Sequence, residues 1–142
     1  MAIHLIGGYQ TDFARAWSRE GLDYTDMMRE GIDGALASCL LEPDDIEAIH
    51  VGNAFGALYR GQGHLAAMVA QVKPEFFGKP AMRHEAACAS SSLAILSASA
   101  EIEAGRYDCI MVLGVEEEKN LPGDQASQVQ NAASWQGHEG LD

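Results

Sequence analysis

CASSSLAILSASAEIEA, Cys88–Ala104, decides the fold: as a helix it presents small or apolar side chains on nearly every face until Glu101 and Glu103 arrive near its end. A helix with almost no polar stripe is expected to be buried on most sides. Gly105 is placed to terminate it. The run that follows, Cys109–Gly114 (CIMVLG), is continuously apolar, as in a strand covered by helices on both faces. Pro80–Glu85, just ahead of the helix, reads as another strand. Strand, buried helix and apolar strand in succession argue for an α/β domain with a largely parallel sheet.

The pattern extends toward the N-terminus. Ala2–Gly8 is a short apolar run closed by two glycines and reads as a buried strand, with Gln10–Gly21 as the loop after it. From Asp23 onward, Tyr24, Met28, Ile32, Leu36 and Leu40 recur every fourth position and gather on one helical face. Asp23 is suited to cap that helix and Pro43 to stop it. Gly31 and Gly34 are costly in a helix interior, about 1 kcal/mol each against alanine, which implies a neighbour packed closely there. Ile46–Val51 reads as the next strand, with Gly52 and Asn53 as turn residues at its end, and Leu65–Val72 as an alanine-rich helix between Gly63 and Pro74. After Val115 the chain becomes polar and aperiodic, a loop excursion or a disordered tract with Ala126–Trp135 as its one helical stretch. Glu116, Glu117 and Glu118 are expected to form a solvated edge, since successive side chains diverge.

Composition narrows the function classes. The chain has 142 residues, 47% of them hydrophobic, enough for one packed core. Its formal net charge of −12 disfavours nucleic acid and anionic membrane surfaces as partners. No apolar run approaches the roughly 20 residues that span a bilayer, and Met1–Gly8 lacks the pattern of a signal peptide, so a soluble cytoplasmic protein is expected. Cys39, Cys88 and Cys109 are odd in number and widely spaced, which suits free thiols; no pair has metal-ligand spacing.

Cys88 is set apart by position. It stands where a strand meets the start of a helix, and the unpaired amides of a helix N-terminus favour negative charge, which suits the nucleophilic thiolate. Ala86, Ala87, Ala89, Ser90, Ser91 and Ser92 leave room around it for a ligand or another backbone. Cys39 and Cys109 lack this context and are read as packing residues. His84 is near Cys88 in sequence, but the bend at the helix entry spoils its geometry as a base, so a structural or interface role is expected. His4, His50, His64 and His138 carry still less signal. Gly52 and Asn53 are explained by turn chemistry, though they are placed to shape a loop near the pocket.

EAACASSSLAIL at Glu85–Leu96 resembles the nucleophile segment of thiolases, in particular the sterol-carrier-protein type. DIEAIHVGN at Asp45–Asn53 resembles the family's second strand. Gly61-Gln62-Gly63 resembles the stretch at which thiolases enter a helix, and Tyr107–Glu116 the strand after the nucleophile helix. The resemblance covers nearly the whole chain in order. It implies a thiolase-like α/β fold: the first half-domain, a layered mixed sheet with a buried nucleophile helix, over residues 1–115, and the start of a truncated loop-domain insertion over 116–142. It further implies a dimeric acyl-CoA acyltransferase in lipid metabolism. Cys88 would take an acyl group from acyl-CoA as a thioester, which CoA or an enolate then attacks. CoA thioesters would be the substrates, with no metal or organic cofactor.

Thiolases also need an activating histidine, a second cysteine and an oxyanion-site histidine from their C-terminal half, and those motifs do not occur here. The expectation is therefore a fragment, or a chain completed by a second polypeptide, inactive in isolation and exposing apolar faces at an interface. Two other readings stand beside it. One is a non-catalytic thiolase-like binding or scaffolding subunit. The other is a ketoacyl-synthase-like condensing enzyme loaded from a carrier protein, which the CASSSLAIL context fits less well.

Overall fold

The computed structural model describes residues 2–139. Helix α1, Tyr24–Cys39, starts where Asp23 caps it: the Asp23 carboxylate accepts from Thr25 N at 2.8 Å, and Asp26 reciprocates by accepting from Asp23 N at 3.1 Å. The four-residue spacing buries Tyr24, Met28, Ile32 and Leu36. The helix ends before Pro43, at Leu40, which turns the chain with φ 57° and is itself exposed. The inferred close packing at the two helix glycines is present. Leu113 lies over Gly31, and the Tyr9 ring fills the space where a side chain at Gly34 would stand.

Three strands follow: β1, Ala48–Gly52; β2, Ala81–His84; and β3, Ile110–Gly114. They form one parallel sheet in the order β2-β1-β3. The path from β1 to β2 runs through α2, Gly56–Tyr59, and α3, Leu65–Val72; that from β2 to β3 crosses back over β1 through α4, Ser90–Glu103. Two crossovers that travel in opposite directions with the same right hand must lie on opposite faces of the sheet. Accordingly, α1 and α3 cover the face bearing Ile49, Val51, Met111 and Leu113, while α4 covers the face bearing His50 and Gly52. The loops leaving β1 and β2 thus diverge, opening a crevice at the carboxyl edge of the sheet.

Three expectations need correction. Ala2–Gly8 forms no strand: it has no hydrogen-bonding strand beside it among the described residues, and Leu5 and Ile6 are exposed. It is instead pinned to α1, with Gly8 N donating to Ser38 Oγ and the Tyr9 hydroxyl to Glu30. Helix α4 is buried along the single stripe Ser90, Ala94 and Ala98, whereas Leu93, Ile95 and Leu96 are 39%, 42% and 67% exposed. The apolar residues there are therefore not all covered by this chain's own described elements. In the polar segment, α5 spans Gly123–Asn131, three residues ahead of the expected start, and a short α6 spans Gln136–Glu139. Among the described residues, no helix is long and apolar enough to cross a membrane.

Candidate active site

The nucleophile turn is seated on glycine. Gly52 and Gly114 are register partners at the ends of β1 and β3, and Ser91 in the first turn of α4 rests against both. A Cβ on Gly52 would fall 2.8 Å from the Ser91 Cα, so only glycine lets the helix start this close to the sheet. Cys88 occupies a 3₁₀ turn, Ala87–Ala89, between β2 and α4. Ser90 braces the turn, its Oγ accepting from Ala86 N at 3.0 Å and donating to Ala87 O at 2.7 Å. Ala87 is held at φ 47°, a left-handed conformation that alanine adopts at a cost of roughly 1 kcal/mol or more, and its N–H is fixed by Glu85 Oε1 at 2.6 Å.

This bent backbone turns Cys88 outward. Its side chain is exposed, and it lines a concavity of about 1170 Å³ together with Asn53, Phe55, Ser91 and Glu116. No side chain caps α4; its first amide, Ser90 N, donates to Ala87 O of the nucleophile turn. Cys39 and Cys109 are half-buried by contrast. The Cys39 thiol donates to Ala35 O, and burial pushes the Cys109 thiol up from its ordinary value.

A network at the carboxyl edge fixes the loop facing Cys88. Asn53 ties all three strand ends together: its N–H donates to His84 O of β2 at 3.2 Å, and its Nδ2 donates to Val115 O, just past β3, at 2.7 Å. The Glu116 carboxylate accepts from Asn53 Nδ2 at 3.1 Å, Ala54 N at 2.9 Å and Phe55 N at 3.0 Å. Arg83 closes the loop from β2, donating to the carbonyls of Asn53 and Ala54. Asn53 therefore does more than satisfy turn chemistry.

The acidic run is not a solvated edge. Only Glu118 is exposed; Glu116 is half-buried in the loop network, and Glu117 is buried. Arg60 Nε lies 2.8 Å from Glu117 Oε2, close enough for an ion pair but out of line for a hydrogen bond, so neither Glu117 oxygen has an aligned donor. Burial pushes the Glu117 carboxyl up from the usual carboxylate range against the pull of Arg60. The divergence argument fails because β3 ends at Gly114, two residues before Glu116, and the chain there folds over the end of β1. His84, near Cys88 in sequence, turns its ring away to His50, with Nε2 2.9 Å from His50 Nδ1.

Residues 3–141 match the family model described as "Thiolase, N-terminal domain". The chain belongs to the thiolase family. It is 29% identical over 141 residues to an acetyl-CoA acetyltransferase of Methanothermobacter thermautotrophicus, a match covering 98% of this chain and 36% of that protein. It is 33% identical over 117 residues to an acetyl-CoA acetyltransferase of Methanocaldococcus jannaschii, covering 80% of this chain and 28% of the relative. A third relative, the "Non-specific lipid-transfer protein-like 2" of Caenorhabditis elegans, is 31% identical over 114 residues, covering 80% of this chain and 26% of that protein. The chain thus spans about a third of the length of these curated relatives. The α/β architecture read from Cys88–Ala104 is that of the thiolase N-terminal half-domain.

Proposed function

We propose that this chain is the nucleophile-bearing part of a thiolase-type acyl-CoA acyltransferase, with Cys88 as the residue acylated. In the thiolytic direction the Cys88 thiolate attacks the 3-oxo carbon of a 3-oxoacyl-CoA. The bond between C2 and C3 breaks, and acetyl-CoA leaves as its enolate and takes up a proton. CoA thiolate then attacks the acyl-cysteine carbonyl, releasing the shortened acyl-CoA and restoring Cys88. Claisen condensation runs the same steps in reverse. The observation that carries this reading is the exposed Cys88, held outward by the left-handed Ala87 at a glycine-seated helix start. It is supported by two acetyl-CoA acetyltransferases among the relatives.

In the same reading, residues 1–115 form the half-domain and 116–142 begin the inserted loop domain. The activating histidine and second cysteine come from a complementary C-terminal part, on the same polypeptide or on a second chain. The uncovered stripe of α4 then faces that part or the second subunit of a dimer. The assembly acts in the cytoplasm on CoA thioesters without a metal or organic cofactor.

Acid quenching after incubation of the intact protein with acetyl-CoA, followed by peptide mapping, tests the claim. The expected result is an acetyl thioester on the peptide bearing Cys88, absent in Cys88→Ala. Retention of acetyl-CoA with no acyl-cysteine would favour a non-catalytic binding subunit. Acylation only from an acyl-carrier protein would favour the ketoacyl-synthase-like alternative.

A further inference from the structure

On the α4 face of the sheet, three titratable side chains from three elements form a continuous chain. Glu101 Oε2 of α4 lies 3.1 Å from His50 Nε2 of β1, and His50 Nδ1 lies 2.9 Å from His84 Nε2 at the end of β2. The two imidazoles are nearly parallel, 12° apart with centroids at 4.8 Å, and His50 is fully buried. The other Glu101 oxygen is 3.4 Å from Arg106 Nη1.

These contacts fix the protons. A carboxylate only accepts, so His50 Nε2 carries the hydrogen; the neutral ring then accepts at Nδ1, and His84 Nε2 must donate. One added proton fits at His84 Nδ1 without disturbing either hydrogen bond, its charge balanced by Glu101. A second would place an N–H on His50 Nδ1 directly against the His84 N–H, and a 2.9 Å contact cannot hold two hydrogens and two like charges. The contact matters for Cys88 because His84 is the last residue of β2 and leads straight into the nucleophile turn.

We propose that Glu101 and His50 are positioning residues that act through His84 to hold the Cys88 turn against the sheet, as a latch closed while the imidazoles share at most one proton and opened by the second. The latch deepens the role given above to Cys88 and takes its importance from that role. The groups facing His84 are His50 from β1 and Glu101 from α4, the latter also paired with Arg106. Arg83, its neighbour on β2, is engaged by the carbonyls of Asn53 and Ala54. Burial and the neighbouring His50 push the His84 imidazole below its ordinary value, against the pull of Glu101, so the latch stays shut near neutral pH.

Hydrogen exchange of the 85–90 amides in the intact protein tests this without substrate, so an inert Cys88 would not disturb the readout. Corrected for intrinsic rates, protection should be flat near neutral pH. In acid it should fall roughly tenfold per pH unit, the slope of one proton taken up on opening. His84→Gln should abolish the break. Glu101→Gln should move it to higher pH, because the closed latch loses the charge that balances its first proton. Flat protection in the unaltered protein, or an unchanged break in His84→Gln, would overturn the latch. Should His84→Gln not fold, imidazole ¹⁵N spectra of the unaltered protein at neutral pH decide the matter: both rings must carry hydrogen on Nε2, and the opposite tautomer at either would overturn it.

Discussion

The two faces of one three-stranded sheet are built for different ends. On one, Ile49, Val51, Met111 and Leu113 alternate with the strand period into an apolar core closed by α1 and α3. On the other, the same strands present His50, Gly52, His84 and Gly114 to α4, whose outer stripe is left uncovered. The first face supplies burial, which is what stabilises a small domain. The second gives up burial for close backbone approach and hydrogen-bonded polar groups. The nucleophile turn stands where that second face meets the carboxyl edge.

The sharpest way to break this contrast is to shorten an apolar side chain on each side. Ile32→Ala, at a fully buried site on α1, should cost about 2–5 kcal/mol in urea unfolding, whereas Leu96→Ala on the uncovered stripe of α4 should stay within about 0.5 kcal/mol. Equal losses would mean that α4 is buried after all. Next in size is Gly52→Ala. Its methyl group would press on the Ser91 backbone, costing about 1–3 kcal/mol and changing Cys88 alkylation by displacing the turn. A variant with unaltered alkylation would show that the glycine seat does not position the cysteine. The smallest effect is a pH slope. The folded His84 pKa lies below its unfolded value near 6.5, so the unfolded chain binds more protons in that window. Stability should therefore be full above about pH 6.5 and decline as pH falls through the folded pKa, with a shallower decline in His84→Gln. An identical decline would locate the proton elsewhere.

Much of this was legible in the sequence because it depends on local chemistry. Asp23 at its cap, Leu65–Val72 as a helix and the strand either side of Cys88–Ala104 all follow from spacing and turn residues. What escaped depends on partners distant in the chain. Ala2–Gly8 has the composition of a strand but no neighbouring strand to pair with. Leu40 ends α1 in a left-handed conformation that the sequence marks with no glycine. Glu116 reads as solvated until the parallel register puts the ends of β1 and β3 on the same edge, within reach of the Ala54 and Phe55 amides. One signal was available and unused. Glu101 continues the Ala94, Ala98 stripe at the spacing that faces inward, and a carboxylate half-buried there calls for a donor, which His50 supplies.

Competitive alkylation of the intact protein with limiting iodoacetamide, read cysteine by cysteine by peptide mass, tests the central claim most directly. An exposed, activated nucleophile predicts that Cys88 is modified roughly tenfold or more faster than Cys39 and Cys109, and that acetyl-CoA protects it alone. Equally slow modification of all three cysteines, unaffected by acetyl-CoA, would contradict the assignment of Cys88 as the acyl-accepting residue.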